Sequence, residues 1–257
     1  ENFIQAKQGS GYYILGQNQI KLVPNQSFIY DREVDPLWIS RQSLQAKNQS
    51  IKPGCGWLPS DWMPHECIRR ALKKVSRLDQ ECLTDYATPL GHLGLRQLIA
   101  KRKERFDIHV NYSQILLTDS GTQAIDLIFR NALQAGDIIL IDDPCYFNFQ
   151  ALIKAHRLQA IAIPFLKNGP DMEKFRQALS FKPKMYLTNS GIHNPTGATL
   201  SMQSAFELAQ LAVQNDIMII EDDIFADFEQ SPSPRYSALA GFEHVIQIGS
   251  FSKTDIR

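Results

Sequence analysis

Lys253 closes a small polar turn, Gly249-Ser250-Phe251-Ser252-Lys253-Thr254, directly after an apolar run from His244 to Ile248 that reads as a strand. A lysine delivered by a strand end into such a turn is suited to Schiff-base chemistry. Three upstream strand ends carry groups that would serve the same chemistry: Ser120-Gly121-Thr122-Gln123, Asn194-Pro195-Thr196-Gly197 and Glu221-Asp222-Asp223. The group that needs this set is pyridoxal 5'-phosphate. It takes a lysine imine, a carboxylate at the pyridine nitrogen, a cradle for the phosphate and side chains that fix the ring plane.

Each residue has a plainer alternative. Asp222 follows the run Ile217 to Ile220 and would keep a pyridine nitrogen protonated; standing alone, it would be a helix cap or loop acid. Gly121, Thr122 and Gln123 open a helix, where unpaired N–H groups and the helix dipole favour an anion. The alternative is an ordinary N-cap. Ser250 would add a hydroxyl to the same phosphate. Asn194 would donate its amide to a phenolic oxygen, although Asn-Pro-Thr-Gly is also a good turn. Tyr146, in Asp143-Pro144-Cys145-Tyr146-Phe147, would stack on a ring face or simply join the core. It is the order and company of these residues that favour the cofactor.

From about Ile115 the chain alternates short β-rich runs with helical stretches, which predicts a mostly parallel sheet flanked by helices. Strands are expected at 115–118, 138–142, 160–164, 185–189, 217–221 and 245–249, with helices at 123–133, 147–156, 172–179 and 202–215. Ligands of such sheets bind beyond the carboxyl ends of the strands, where all the motifs above fall. Residues 1–15 read instead as a β-hairpin around Lys7-Gln8-Gly9-Ser10-Gly11. A polar segment follows, then a proline-punctuated stretch from Pro53 to Pro64, and helices over 65–77 and 93–105.

The 257 residues are 44% hydrophobic and 21% charged, enough for a substantial α/β core. Equal numbers of acids and bases, 27 of each, leave no net charge of the kind a dedicated nucleic-acid-binding domain carries. Cys55, Cys67, Cys82 and Cys145 lack metal-ligand spacing and suggest neither a metal site nor a disulfide framework. No run approaches the roughly 18 apolar residues of a membrane span. The expectation is a soluble, cytoplasmic protein.

These motifs, together with Gly56-Trp57-Leu58-Pro59, Tyr86-Ala87-Thr88-Pro89-Leu90-Gly91-His92 and Glu221-Asp222-Asp223-Ile224-Phe225-Ala226-Asp227-Phe228, resemble the class I/II aminotransferases of fold-type I. They resemble more closely the aminotransferase-like domains of MocR-type regulators, a branch of the GntR transcription factors. The hairpin is similar to the wing of a GntR winged helix-turn-helix. The resemblance implies a wing tail at 1–15, a linker at 16–45 and, over 46–257, the large domain of a fold-type I PLP-dependent transferase whose small C-terminal domain would lie beyond residue 257.

It further implies that Lys253 forms the internal aldimine, Asp222 pairs with the pyridine nitrogen and Asn194 bonds the phenolic oxygen. Gly121, Thr122, Gln123 and Ser250 would hold the phosphate, with Tyr146 stacked on the ring. Tyr86 would reach the phosphate of a neighbouring subunit, which implies a homodimer with shared sites. Two departures stand out. Phe225 occupies a position where many relatives carry a tyrosine, and Arg257 follows Lys253 too closely to be assigned the relatives' phosphate-binding arginine.

Two functions are compatible with this set. One is the effector domain of a DNA-binding regulator that senses pyridoxal phosphate, or a small amine or amino acid, through a Lys253 aldimine. The other is a working aminotransferase in which Lys253 also moves protons as base and acid.

Overall fold

Each strand of the main sheet alternates its side chains between two apolar layers, and this period of two builds the core. The computed structural model describes the backbone of residues 4–7 and 11–14, residues 38, 45 and 56, and residues 58–78 and 83–253. It divides into two units, residues 1–35 and 36–257. In the first, β1 (Ile4–Lys7) and β2 (Gly11–Ile14) pair antiparallel with Lys7 opposite Gly11, the expected hairpin. Its tip at 8–10, most of the 16–45 segment, Trp57 and residues 254–257 lie outside the described residues.

In the second unit the strands are β3 (Ile138–Asp143), β4 (Gln159–Leu166), β5 (Gly169–Pro170), β6 (Met185–Asn189), β7 (Met218–Asp222) and β8 (Val245–Ile248). They form one sheet in the order β5-β4-β3-β6-β7-β8, parallel throughout except for the short β5. The helices are α1 (His65–Val75), α2 (Leu93–Lys103), α3 (Gly121–Ala132), α4 (Phe147–Ala155), α5 (Met172–Ala178), α6 (Met202–Gln214) and α7 (Tyr236–Ala240).

Leu140, Tyr186 and Ile219 point to one face, against Phe175 of α5, Leu208 of α6 and Tyr236 of α7. Their neighbours Ile139, Ile141, Leu187 and Ile220 point to the other, against Ile125 and Phe129 of α3 and Phe149 of α4. A parallel sheet buried on both faces has no polar side to expose, and its strands read as nearly continuous apolar runs. Side-chain caps start four of the helices: His92 Nδ1 accepts from Leu95 N–H, Ser120 from Gln123, Asp171 from Glu173 and Lys174, and Ser201 from Ser204.

One expected strand does not form. Residues 115–118 are assigned to no strand; the N–H of Leu117 bonds the carbonyl of Leu90 at 3.1 Å. This segment and β8 both line a groove of about 860 Å³. An apolar β-branched run needs a hydrogen-bonded neighbour to become a strand, and the described residues place none beside it. The helix expected over 93–105 stops at Lys103 and tightens into a 3-10 turn over Glu104–Phe106, with Asp107 left-handed at φ 58°.

Arg235 shows how a buried charge is partnered here. Arg235 is 1% exposed and lies over the Phe106 ring, 4.7 Å from its centroid. Its guanidinium bonds both oxygens of Glu229. Its Nε sits 2.9 Å from Asp223 Oδ1, close enough for an ion pair although not aligned as a hydrogen bond. Removing the cation leaves Glu229 buried without its paired charge and Asp223 with Lys103 as its remaining cation, a loss of about 3–5 kcal/mol in comparable settings. Arg235→Met is therefore expected to lower the urea midpoint by that order, and an unchanged midpoint would show the pair to be dispensable.

Candidate functional site

The parallel register decides which residues meet. Asn189 stands opposite Asp222, and Asp222 opposite Ile248, so β6, β7 and β8 end level. β3 joins the same row, with Ile141 opposite Leu187. The segments leaving these ends carry Tyr146, Asn194, Asp222 with Phe225, and Ser250 with Lys253. The carboxyl edge of a parallel sheet is where such folds bind ligands.

Asp222 is buried, and its Oδ1 accepts the Ile224 N–H at 3.2 Å. Burial, with the charge of Asp223 adding to it, pushes its carboxyl up to about 7 from an ordinary 3.8, against the Ile224 and Asn189 bonds that pull it down. Tyr146 is half-buried, edge-on to Phe149 at 5.6 Å between centroids, and its hydroxyl accepts from Asn148 at 3.0 Å. Burial, and after it the charge of Asp222, raises the Tyr146 phenol, so the two side chains lie within electrostatic reach of each other.

Asn194 is held by its N–H, which bonds Asn189 Oδ1 at 3.4 Å. The turn it begins is closed by Gly197 N–H to His193 O at 2.7 Å and by His193 N–H to Ala198 O at 2.9 Å. Gly197 sits at φ 70°, a conformation that favours glycine. Lys253 is partly buried and donates through Nζ to the main-chain carbonyl of Gly56. Burial lowers its ammonium pKa, which favours the neutral, nucleophilic amine. Ser250 and Ser252 share a hydroxyl contact at 2.9 Å.

At the start of α3, Gly121 and Thr122 have N–H groups that the helix itself supplies with no acceptor. A Cβ on Gly121 would come 3.5 Å from Ile248, which sets this helix end against the end of β8. Gln123 is differently engaged. Its N–H bonds Ser120 Oγ at 3.1 Å and its Oε1 accepts the Asp119 N–H at 2.6 Å, so its carbonyl and N–H both serve the cap. Tyr86 stands fully exposed, and Phe225 is half-buried. Arg257 lies outside the described residues.

The donor set fits pyridoxal phosphate: a desolvated carboxyl beside an asparagine amide, a partly buried amine, and a helix start suited to an anion. A Cβ on Gly249 would meet nothing within 4 Å, so the backbone between β8 and Ser250 is open to a ligand. Sequence reasoning missed Asn189, Asp142 and His193, which lie beneath this row. Their available signal was polar residues in otherwise apolar strands, Thr188-Asn189-Ser190 above all.

Asp222 sets a pH dependence. Its folded pKa lies above the unfolded value, so between about pH 4 and 7 the folded chain holds a proton that the unfolded chain releases. The stability this confers is complete below pH 3.8 and is lost as pH rises to about 7, on the order of 4 kcal/mol in all. Urea titrations of the cofactor-free protein from pH 5 to 8 should show this decline, and Asp222→Asn should flatten it. Parallel curves for the two proteins would contradict the assignment.

Solved structures of similar fold include kynurenine aminotransferase from Pyrococcus horikoshii, in complex with PMP, at TM-score 0.75 and 24% identity over 92% of this chain and 60% of that one. Another is LysN, the α-aminoadipate aminotransferase of Thermus thermophilus, complexed with N-(5'-phosphopyridoxyl)-L-leucine, at TM-score 0.76 and 23% identity over 84% and 55%. The fold is that of the large domain of fold-type I transferases. Among curated relatives, the HTH-type transcriptional regulator YdcR of Escherichia coli is 28% identical over 98% of this chain, and NorG of Staphylococcus aureus is 27% identical over 99%. The chain spans 56% and 59% of the lengths of these two relatives. The model of the family described as aminotransferase class I and II matches residues 58–254, well over half of the chain, and the chain belongs to that family.

Proposed function

We propose that this chain is the pyridoxal-phosphate-binding effector portion of a MocR/GntR-type transcriptional regulator, responding to the cofactor or to a small amine or amino acid at Lys253. The observation that carries the reading is the level row of strand ends that gathers Tyr146, Asn194, Asp222 and Lys253. Support for the regulatory role comes from relatives named as HTH-type regulators, aligned over nearly the whole chain, and from the hairpin that precedes the domain.

When bound, pyridoxal phosphate supplies an aldehyde that condenses with amines and a ring that accepts electrons. The chain's own residues do the rest. Lys253 presents its amine after giving up the Gly56 carbonyl, and its burial-lowered pKa keeps more of that amine neutral. Asp222 would hold a proton at the ring nitrogen. Asn194 would donate its amide to the phenolic oxygen, Tyr146 would stack on the ring, and Gly121 and Thr122, with Gln123 and the Ser250 hydroxyl, would hold the phosphate at the start of α3. Tyr86, fully exposed here, would act across a homodimer interface. An effector that favours one of two dimer states would alter the grip on DNA.

A second reading, a working class I/II aminotransferase, is favoured by the lowered pKa of Lys253, which suits a base that shuttles protons. One experiment separates the two. The full-length protein is titrated with pyridoxal phosphate in visible light, then with amino acids and amines, beside Lys253→Ala. The expected result is a band that requires Lys253, shifts with effectors and changes operator affinity without release of keto acid. Steady keto-acid production would favour the enzyme, and a spectrum indifferent to Lys253→Ala would remove both readings.

A further inference from the structure

Asn189, the last residue of β6, is 2% exposed, in a strand whose every residue is buried. A buried amide costs about 1–3 kcal/mol if its bonds go unmade. Here both are made, and to main-chain groups of two different segments. Nδ2 donates to the carbonyl oxygen of Asp222 at 3.2 Å, and Oδ1 accepts the N–H of Asn194 at 3.4 Å. A single rigid amide therefore spans the two residues assigned to the ring nitrogen and the phenolic oxygen.

Asn189 is itself fixed from below. Its own N–H bonds Asp142 Oδ2 at 3.3 Å, and the same carboxylate accepts the hydroxyls of Tyr186 and of Thr188, the latter at 2.8 Å. His193 Nε2 lies 3.3 Å from Asp142 Oδ2. The His193 ring stacks on Phe165 at 3.8 Å between centroids, and Nδ1 contacts the Thr196 hydroxyl at 2.8 Å. Asp142 thus anchors both the start of the 190–197 turn and the residue just before Asn194. A change at Asn189 has little room to be absorbed, because the groups around it are already committed.

We propose that Asn189 is the positioning residue of this site, setting the separation and orientation of Asp222 and Asn194 so that both engage one aromatic ring. The inference rests on the pyridoxal phosphate reading and deepens it. Asn189 touches no ligand in this scheme; it acts through its two partners. It also lowers the Asp222 pKa, which keeps more of that carboxylate ionised toward a cationic ring nitrogen.

The test is a coupling measurement on the full-length protein with pyridoxal phosphate as the probe, read by visible absorption, with urea unfolding run alongside. Asn189→Ala should raise the Kd about tenfold, the equivalent of one lost hydrogen bond. In an Asn194→Ala background the further rise should shrink to about threefold or less, since the effect passes through that residue. Ser190→Ala, a buried change in the same layer whose hydroxyl bonds Asp223, should bind within about twofold of the parent. If Asn189→Ala does not fold, the isosteric Asn189→Asp, which keeps the acceptor for Asn194 but lacks the N–H for Asp222, is titrated instead, with its loss expected to shrink in an Asp222→Asn background. Parental affinity in the variant, or an undiminished effect in the double mutant, overturns the proposal while leaving the cofactor reading standing. A parent protein that shows no Lys253-dependent band removes both.

Discussion

The hydrogen-bond register of β6, β7 and β8 is the constraint on which the rest of the molecule depends, because side chains in a strand alternate with a period of two. A slip by one residue would turn Tyr186 and Ile219 out of one core and Leu187 and Ile220 out of the other. Two apolar layers, packed against α3 and α4 on one face and α5, α6 and α7 on the other, therefore hold Asn189, Asp222 and Ile248 level. The site inherits its geometry from the core. Nothing at the carboxyl edge has to fold independently, and the turns leaving that edge begin from fixed points.

The three adjacent acids at the end of β7 show how much their surroundings separate them. Glu221 faces α7 and accepts the N–H of Tyr236 at 2.6 Å and both the N–H and hydroxyl of Ser237. Asp223 sits beside Arg235 and Lys103. Asp222, between them, is buried with main-chain and amide company, and no cation is paired with it among the described residues. Two of the acids are matched within the protein. Burial raises the carboxyl pKa of Glu221 and of Asp222 alike, but Asp222 lacks the cap of hydrogen bonds that Glu221 has and the cations that Asp223 has. Asp222 is thus the member of the trio without a cation among the described residues, which supports the proposed pairing with a ring nitrogen.

The polar layer under the edge explains how such a site stays rigid. Asp142, at 2% exposure, collects the hydroxyls of Tyr186 and Thr188 and the N–H of Asn189, and lies against His193. Buried networks of this kind are stable only when their members are satisfied. Here the hydrogen-bond donors come from β6, while His193 Nε2, in the turn that follows, lies 3.3 Å from the carboxylate without an aligned hydrogen bond. The Asn-Pro-Thr-Gly turn is thereby tied to β3, and its position is tied to the sheet rather than to the turn's own chemistry.

Much of this was legible in the chain. The strands β3, β4, β6, β7 and β8 and the helices α3 to α6 follow from apolar runs and amphipathic stretches whose spacing leaves little choice, whereas the two-residue β5, Gly169–Pro170, carries no such signal. Lys253, Asp222, Asn194 and Tyr146 are conspicuous because each directly follows such a run. The 115–118 segment carries the same β-branched signal, yet a strand also requires a neighbour, which local sequence cannot supply. Gln123 reads from the sequence as one more phosphate ligand, and only the structure shows that its amide carbonyl and N–H also serve its own helix cap. Asn189 was silent: a buried asparagine at a strand end means nothing until the register shows that Asp222 and Asn194 lie on either side of it. Sequence by itself determined the elements and the chemistry placed at their ends, because these depend on local periodicity and side-chain type. Only the tertiary structure decided which of those ends meet, which polar groups are spoken for and which carboxylate is left to be paired, because these depend on contacts between segments far apart in the chain.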